Sequence, residues 1–170
     1  MVIEKIYFDM DGVLADFGRG IREFCGMDLP EQDGMGSKGQ DEIMWRRVRD
    51  TAHFYDRLEL MPGAKELFDE LYSRYGDRCE ILSAIPKKER GIIGAGDDKT
   101  RWVHRLLADD IVVNIVYKED KPDYCTGPGC ILIDDLQGNI DAWNELGGTG
   151  IRFTSADECR AKLCELGILW

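Results

Sequence analysis

The sequence predicts an α/β fold in which the five strands of a mainly parallel sheet alternate with helices. Short apolar stretches rich in β-branched residues recur along the chain. Between them lie segments whose apolar residues repeat at the spacing of an amphipathic helix. This alternation is typical of a parallel sheet covered by helices. The length of 170 residues suits a single domain.

The predicted strands are short stretches that end in polar turns. The first, residues 2–8, is β-branched and aromatic and continues directly into a turn that contains Asp9 and Asp11. The other four are the apolar stretches 79–82, 111–117, 130–133 and 151–153.

The predicted helices follow the strands. Residues 64–75 and 99–107 each place their large apolar side chains on one stripe. Residues 139–146 stop at two glycines, which favour the end of a helix. Ser155, with Glu158 three positions later, forms a capping box that should begin the last helix.

One long segment interrupts the alternation. Residues 17–62 are too many for a simple crossover between neighbouring strands, so we interpret them as a small inserted cap. Two helices are predicted in it, at 17–24 and 41–50, joined by the glycine-rich stretch 34–39. Residues 1–16 and 63–170 would then form the core domain.

The composition limits the classes of partner. A net charge of -11 and a pI near 4.7 would repel a polyanion, so long DNA or RNA is not expected to bind. The sequence has neither a membrane-length apolar stretch nor a secretion signal, and we expect no membrane partner and a cytoplasmic location. The six cysteines are therefore expected to be reduced, although a disulfide between Cys125 and Cys130 is left open.

Polar side chains follow three of the predicted strands. Asp9 and Asp11 come after the first, Ser83 after the second, and Asp134 and Asp135 after the fourth. Open α/β sheets bind ligands at the carboxyl ends of their strands, so we expect these groups to meet. Crowded carboxylates need a cation near neutral pH, and Mg²⁺ prefers such oxygen ligands.

Each of these patterns has a structural alternative. An Asp-x-Asp-Gly sequence also occurs in simple turns and in calcium loops, and Asp134-Asp135 could cap a following helix. Their joint placement after strands, with a serine between them in the chain, favours a catalytic site.

The motifs Asp9-Met10-Asp11-Gly12-Val13-Leu14, Ser83, Lys99 and Asp134-Asp135 occur in the order typical of one superfamily. With them the chain resembles the haloacid dehalogenase superfamily of phosphotransferases over almost its whole length. The resemblance implies a Rossmann-like three-layer sandwich with a small helical cap after the first strand.

The resemblance also implies roles for individual residues. Asp9 would attack phosphorus and form an aspartyl-phosphate, and Asp11 would protonate the leaving oxygen and later activate water. Ser83 and a lysine would hold the phosphate oxygens. Lys99 is favoured as this lysine, with Lys121 as the alternative.

A Mg²⁺ ion would be held by the Asp9 carboxylate, the Asp11 backbone carbonyl and Asp134. Asp135 would bind it directly, through water, or by orienting another ligand. The acid at position 11 favours a phosphatase over a dehalogenase, because superfamily members that cleave carbon–halogen bonds lack it.

A narrower resemblance is to the 5'(3')-deoxyribonucleotidases. It is carried by residues 9–17, by Leu60-Met61-Pro62-Gly63-Ala64, by Lys99-x-x-Trp102-Val103 and by residues 132–135. It implies that Phe17 stacks on a nucleobase, with Trp45, Phe54 and Tyr55 as companions; core packing is the alternative for all four.

The phosphate-binding segment departs from those relatives. It reads Ser83-Ala84-Ile85-Pro86 and is followed by the glycine-rich stretch 91–96. Ala84 and Lys87 are placed with the substrate-binding residues, although Lys87 and Lys88 could equally be solvated loop lysines.

The function predicted from the sequence is hydrolysis of a small phosphate ester, specifically a nucleoside monophosphate, with Mg²⁺ as cofactor. The alternatives are a phosphatase for another small ester such as a sugar phosphate, and a noncatalytic nucleotide- or metal-binding module. Whether the chain forms a homodimer is left open.

Overall fold

The computed structural model describes residues 1–30 and 38–170 and contains a five-stranded parallel sheet. The strands are β1 (Lys5–Phe8), β2 (Cys79–Ala84), β3 (Val112–Val116), β4 (Cys130–Asp134) and β5 (Thr149–Arg152). Their order across the sheet is β3-β2-β1-β4-β5, and every neighbouring pair is parallel. The predicted fold class is confirmed, and β1 lies at the centre of the sheet.

Six helices accompany the sheet in the described residues. They are α1 (Phe17–Cys25), α2 (Lys38–Asp50), α3 (Ala64–Tyr75), α4 (Ala95–Leu106), α5 (Gln137–Glu145) and α6 (Ala156–Glu165). Short 3₁₀ turns occur at Tyr55–Arg57, Gly76–Arg78, Lys88–Arg90 and Lys118–Tyr124.

Alternate side chains of β1 point to opposite faces of the sheet and thereby divide the core in two. Ile6 and Phe8 belong to the larger cluster, to which α3, α4 and α6 contribute buried residues. Tyr7 belongs to a smaller cluster with Ile140 and Trp143 of α5. The sheet is therefore the middle of three layers.

The ends of two helices show how far local pattern determines structure. The Ser155 side chain accepts a hydrogen bond from the Glu158 backbone N–H at 3.2 Å, so the predicted cap of α6 is present. By contrast, α4 begins at Ala95, four residues before the predicted start at Lys99. Its first turn contains Gly96 and two aspartates and so has no apolar periodicity to reveal it.

The described part of the segment between β1 and α3 contains α1 and α2, both close to their predicted positions. Helix α2 begins at Lys38, so residues 38–39 are helical rather than part of the predicted glycine-rich link. The rest of that link, residues 34–37, lies outside the described residues. The division into core and cap stays a prediction.

All six cysteines are free thiols, and Cys79 and Cys130 are buried in their strands. Among the helices of residues 1–30 and 38–170, none is long and apolar enough to cross a membrane.

Candidate active site

The carboxyl ends of the three central strands bring the candidate residues together. Asp9 directly follows β1, Ser83 is the penultimate residue of β2, and Asp134 is the last residue of β4. Because β1 lies between β2 and β4, these ends are adjacent at one edge of the sheet. All three side chains are buried.

A tight loop after β1 holds both Asp9 and Asp11 at this edge. The Asp9 N–H donates to the Ile133 carbonyl at 2.9 Å, which extends the pairing of β1 with β4. The Met10 carbonyl then accepts the N–H groups of Leu14 and Ala15, both at 2.9 Å, and closes the loop. The backbone hydrogen bonds of the loop therefore fix the positions of the Asp9 and Asp11 main chain, from which the two carboxylates extend.

Gly12 is required where this loop passes Asp135. Its φ of 79° lies in the left-handed region, and a Cβ atom there would come within 2.7 Å of the Asp135 Cγ. The Asp-x-Asp-Gly pattern thus reflects both backbone conformation and the close approach of a second acidic residue.

Three carboxylates form a cluster suited to a cation. Asp9, Asp134 and Asp135 each offer an oxygen atom, and these atoms lie within 4.8 Å of one another. The cluster contains only oxygen donors, which is the chemistry that a hard divalent cation prefers. Burial of ionised groups this close together is unfavourable unless a positive charge compensates them.

The pKa values of two of these carboxyl groups reflect that cost. Burial raises the pKa of Asp9 to about 7; Lys121 opposes the rise, and Asp134 and Asp11 add to it. Burial raises the pKa of Asp135 to about 8, with further contributions from the charges of Asp9 and Asp134. Without a bound cation, both groups therefore hold protons more tightly than an exposed aspartate.

Asp134 is fixed by three donors, two at the start of α5 and one in the 3₁₀ turn Lys118–Tyr124. Its Oδ1 accepts the Leu136 N–H at 2.9 Å, and its Oδ2 accepts from Asn139 at 2.9 Å and from Lys121 at 2.8 Å. We did not identify Asn139 from the sequence. Its position in the first turn of the helix that follows Asp134-Asp135 would have indicated that its side chain lies near them.

Lys121 connects the central acids. It lies in the 3₁₀ turn Lys118–Tyr124, and its buried Nζ is 3.0 Å from Asp9 Oδ1 and 2.8 Å from Asp134 Oδ2. Burial opposes its positive charge, but Asp9 and Asp134 outweigh that effect and raise the pKa of Lys121. The lysine therefore stays charged beside Asp9.

Lys99 lies on the other side of the site and is fully buried. Its Nζ donates to Asp11 Oδ2 at 2.8 Å, to Ser83 Oγ at 3.0 Å and to the Ala84 carbonyl at 2.6 Å. An ammonium group has three N–H donors, so these contacts use all of them. The structure thus places both candidate lysines at the site, against different partners.

The Asp11 carboxyl is held by one oxygen only. Its Oδ2 accepts from Lys99, while its Oδ1 is buried and has no hydrogen-bond partner among the described residues. A buried, unpaired acceptor is unfavourable in a resting protein and is expected where a ligand supplies the missing group.

The remaining candidates lie around this centre. Phe17 is half-buried and packs in an aromatic cluster, with ring centroids 6.1 Å from Trp45, 5.5 Å from Phe54 and 6.4 Å from Tyr55. Ala84 contributes its backbone carbonyl to Lys99.

Lys87 and Lys88 are exposed and line a cavity of about 660 Å³ together with Arg90 and Tyr117. The structure records no hydrogen bond from either lysine to the site among the described residues. Both interpretations of Lys87 and Lys88, as phosphate-binding residues and as solvated loop lysines, therefore stay predictions.

The chain resembles two named proteins in sequence. No family model matches the chain. The chain is similar to the cytosolic type of 5'(3')-deoxyribonucleotidase of Homo sapiens, with 26% identity over 146 residues that cover 77% of this chain and 70% of the relative. A protein from Vibrio phage KVP40, to which the name 5'(3')-deoxyribonucleotidase is assigned provisionally, is 27% identical over 134 residues. These residues cover 79% of this chain and 67% of the phage protein.

The fold is shared with solved hydrolase structures. A haloacid dehalogenase superfamily hydrolase from Ehrlichia chaffeensis superposes with a TM-score of 0.55 and covers 98% of each chain at 16% sequence identity. This likeness shows that the chain and that hydrolase share a fold.

Proposed function

We propose that this chain, a phosphoric monoester hydrolase with the haloacid dehalogenase fold, hydrolyses nucleoside monophosphates with the help of Mg²⁺. The observation that carries the proposal is the pair of carboxyls on one turn. Asp9 lies in a cluster of three carboxylates suited to a cation, and Asp11 has one buried oxygen without a hydrogen-bond partner among the described residues. The likeness to deoxyribonucleotidases supports a nucleotide as the substrate.

The two carboxyls divide the chemistry between them. Asp9 attacks phosphorus and displaces the sugar oxygen, which produces an aspartyl-phosphate and splits the reaction into two easier steps. Asp11 gives a proton to that oxygen through Oδ1, and the same atom then takes a proton from the water that hydrolyses the intermediate. The Lys99 contact with Oδ2 keeps the Asp11 carboxyl turned for both transfers.

The arrangement of donors favours Lys121 as the lysine that contacts phosphate. Its contacts with Asp9 and Asp134 leave one N–H without a partner among the described residues. Lys99 already donates all three of its N–H groups, so it would have to break one of these hydrogen bonds to bind phosphate. This proposal reverses the preference for Lys99 that we drew from the sequence.

The acidic cluster fits Mg²⁺ by the chemistry of its donors. Asp9, Asp134, Asp135 and the Asp11 backbone carbonyl would hold the ion, with Asn139 and Lys121 orienting Asp134. When bound, Mg²⁺ compensates the negative charge of the carboxylates and of the phosphate.

Substrate choice and location complete the proposal. Residues 17–62 act as a cap over a core of residues 1–16 and 63–170, and the half-buried rings of Phe17 and Trp45 provide a face for a nucleobase. Phe54 and Tyr55 are buried and pack against Phe17, so they are not assigned to this face. A cytoplasmic location is proposed from the cytosolic type of the human relative.

The test is phosphate release from a panel of ribonucleotides, deoxyribonucleotides and sugar phosphates with and without Mg²⁺. We expect turnover of nucleoside monophosphates that depends on Mg²⁺, and a loss of more than about a thousandfold in Asp9→Asn. Asp69→Asn, which changes an exposed aspartate paired with Lys65 on α3, is the control and should keep full activity.

Other outcomes separate the alternatives. Turnover of sugar phosphates alone would assign the site to another phosphate ester. Equal activity of the wild type and Asp9→Asn would refute the assignment of the nucleophile, and no release from any ester would favour a noncatalytic binding module.

A further inference from the structure

We propose that Tyr55 is a positioning residue that holds Lys99 against Asp11 and thereby fixes the orientation of the acid–base carboxyl. The inference rests on the proposed function, because it concerns the proton transfer assigned there to Asp11. It gives the segment between β1 and α3 a direct part in the chemistry as well as in substrate choice.

The first observation is a buried contact between an aromatic ring and an ammonium group. Lys99 Nζ lies 4.6 Å from the centroid of the Tyr55 ring, and the exposed fractions of the two residues are 0% and 2%. The negative face of an aromatic ring attracts a cation within about 6 Å, and the attraction is stronger where water is excluded.

The second observation is what else surrounds Lys99. Asp11, Ser83 and Ala84 accept its three N–H groups, and the Tyr55 ring covers a further side of the ammonium. A long, flexible side chain enclosed in this way loses most of its rotamer freedom. Lys99 therefore offers Asp11 Oδ2 a fixed donor.

The consequence falls on the other oxygen of Asp11. With Oδ2 held by Lys99, rotation of the carboxyl is restrained, and Oδ1 is buried without a partner among the described residues. A general acid must stand within hydrogen-bond reach of the oxygen that it protonates, so a loose carboxyl would slow the step. Tyr55 acts on Asp11 through Lys99 and has no assigned contact with the substrate.

The position of Tyr55 is itself fixed by other aromatic side chains. Its ring lies nearly parallel to that of Phe17, at 25° and 6.4 Å, and meets Phe54 edge-on at 5.2 Å. Burial, with a smaller contribution from the charge of Asp11, holds the pKa of the Tyr55 phenol well above its ordinary value. The ring therefore stays neutral and keeps its affinity for a cation.

The experiment compares Tyr55→Met with Tyr55→Phe on two esters. A nucleoside monophosphate has a poor leaving group that needs the proton from Asp11, whereas p-nitrophenyl phosphate releases a stable anion that needs it little. In Tyr55→Met we expect kcat for the nucleotide to fall about tenfold with KM changed less than about twofold. The kcat/KM for p-nitrophenyl phosphate should fall much less, and Tyr55→Phe should stay close to wild type on both esters.

Phe54→Met is the matched control. Phe54 is as buried as Tyr55 and belongs to the same aromatic cluster, and the structure records no contact between its ring and Lys99 in the described residues. It should lower thermal stability by a similar amount without changing the ratio of kcat/KM between the two esters. The same ratio change in Phe54→Met, or an equal loss on both esters in Tyr55→Met, would overturn the proposal.

A second comparison covers the case in which Tyr55→Met does not fold. Phenylalanine and pentafluorophenylalanine at position 55 have nearly the same shape, but fluorination removes the negative face of the ring. Only the fluorinated ring should lower kcat for the nucleotide; equal rates would refute the contact with Lys99. A wild type that hydrolyses neither ester would instead defeat the proposed function itself.

Discussion

Asp11 and Lys99 show at the scale of single residues how a buried site prepares its chemistry. Lys99 donates its N–H groups to protein acceptors, one of which is Asp11 Oδ2, while the buried Oδ1 has no hydrogen-bond partner in the part of the chain that the structure describes. Such an arrangement costs stability in the free protein. We therefore expect a bound substrate to supply the missing hydrogen bond to Asp11 Oδ1.

Gly12→Ala tests how closely the turn is fitted to the acidic cluster. An alanine at a φ of 79° should cost about 1–2 kcal/mol of backbone strain, and its Cβ would also displace the Asp135 carboxyl. We expect lower stability in urea unfolding together with a loss of more than about tenfold in Mg²⁺-dependent phosphate release.

Gly26→Ala separates the two effects of that change. Gly26 ends α1 with a φ of 64°, and a Cβ there would meet nothing within 4 Å. It should lose similar stability and keep its activity. Equal activity losses in the two variants would contradict the role given to the contact between Gly12 and Asp135.

At the scale of elements, local pattern predicted helices well and side-chain partners poorly. Helix α3 has its predicted bounds, 64–75, because its apolar stripe spans the whole helix. Lys121 lies in a polar 3₁₀ turn that has no such stripe. Its contact with Asp9 depends on how β3 and β4 are connected, which only the assembled sheet determines.

Ser155→Ala tests the element whose start the sequence predicted best. The serine satisfies the Glu158 N–H at the first turn of α6, and its loss should lower the free energy of unfolding by about 1 kcal/mol. Urea unfolding measures the change, and phosphatase activity should be unaffected because α6 lies against α3 and β5.

Ser73→Ala is the control for the Ser155 N-cap of α6. Ser73 is a helical serine near the end of α3 whose hydroxyl donates to the Glu70 carbonyl. Its replacement should change stability by less than about 0.5 kcal/mol. A similar loss in both variants would show that the Ser155 hydroxyl does not act as a cap.

At the scale of the whole molecule, the sheet explains why the candidate centre could be predicted from one sequence. Parallel strands end at a common edge, so polar residues at the carboxyl ends of β1, β2 and β4 could be expected to meet once the strands were recognised. The roles of Asn139 and Tyr55 could not be predicted, because they depend on packing between segments that are distant in sequence.

The stability of the metal-free protein should fall as the pH rises, because its acidic centre binds protons tightly. Burial raises the pKa of Asp9 to about 7 and that of Asp135 to about 8, against an ordinary 3.8 in the unfolded chain. Between the ordinary pKa of 3.8 and these raised pKa values, the folded state holds more protons than the unfolded state. Unfolding therefore releases protons, and the contribution of these two groups to stability decreases as the pH rises.

Binding of Mg²⁺ should reverse this trend, because the cation pairs with the ionised carboxylates and expels their protons. The rise in thermal midpoint on adding Mg²⁺ to chelator-treated protein should therefore be small near about pH 5.5 and large near about pH 8.5. Asp135→Asn, which removes the group with the higher pKa, should weaken both the pH dependence and the effect of Mg²⁺. A rise in midpoint that is equal at both pH values would show that the bound cation does not compete with protons at this cluster.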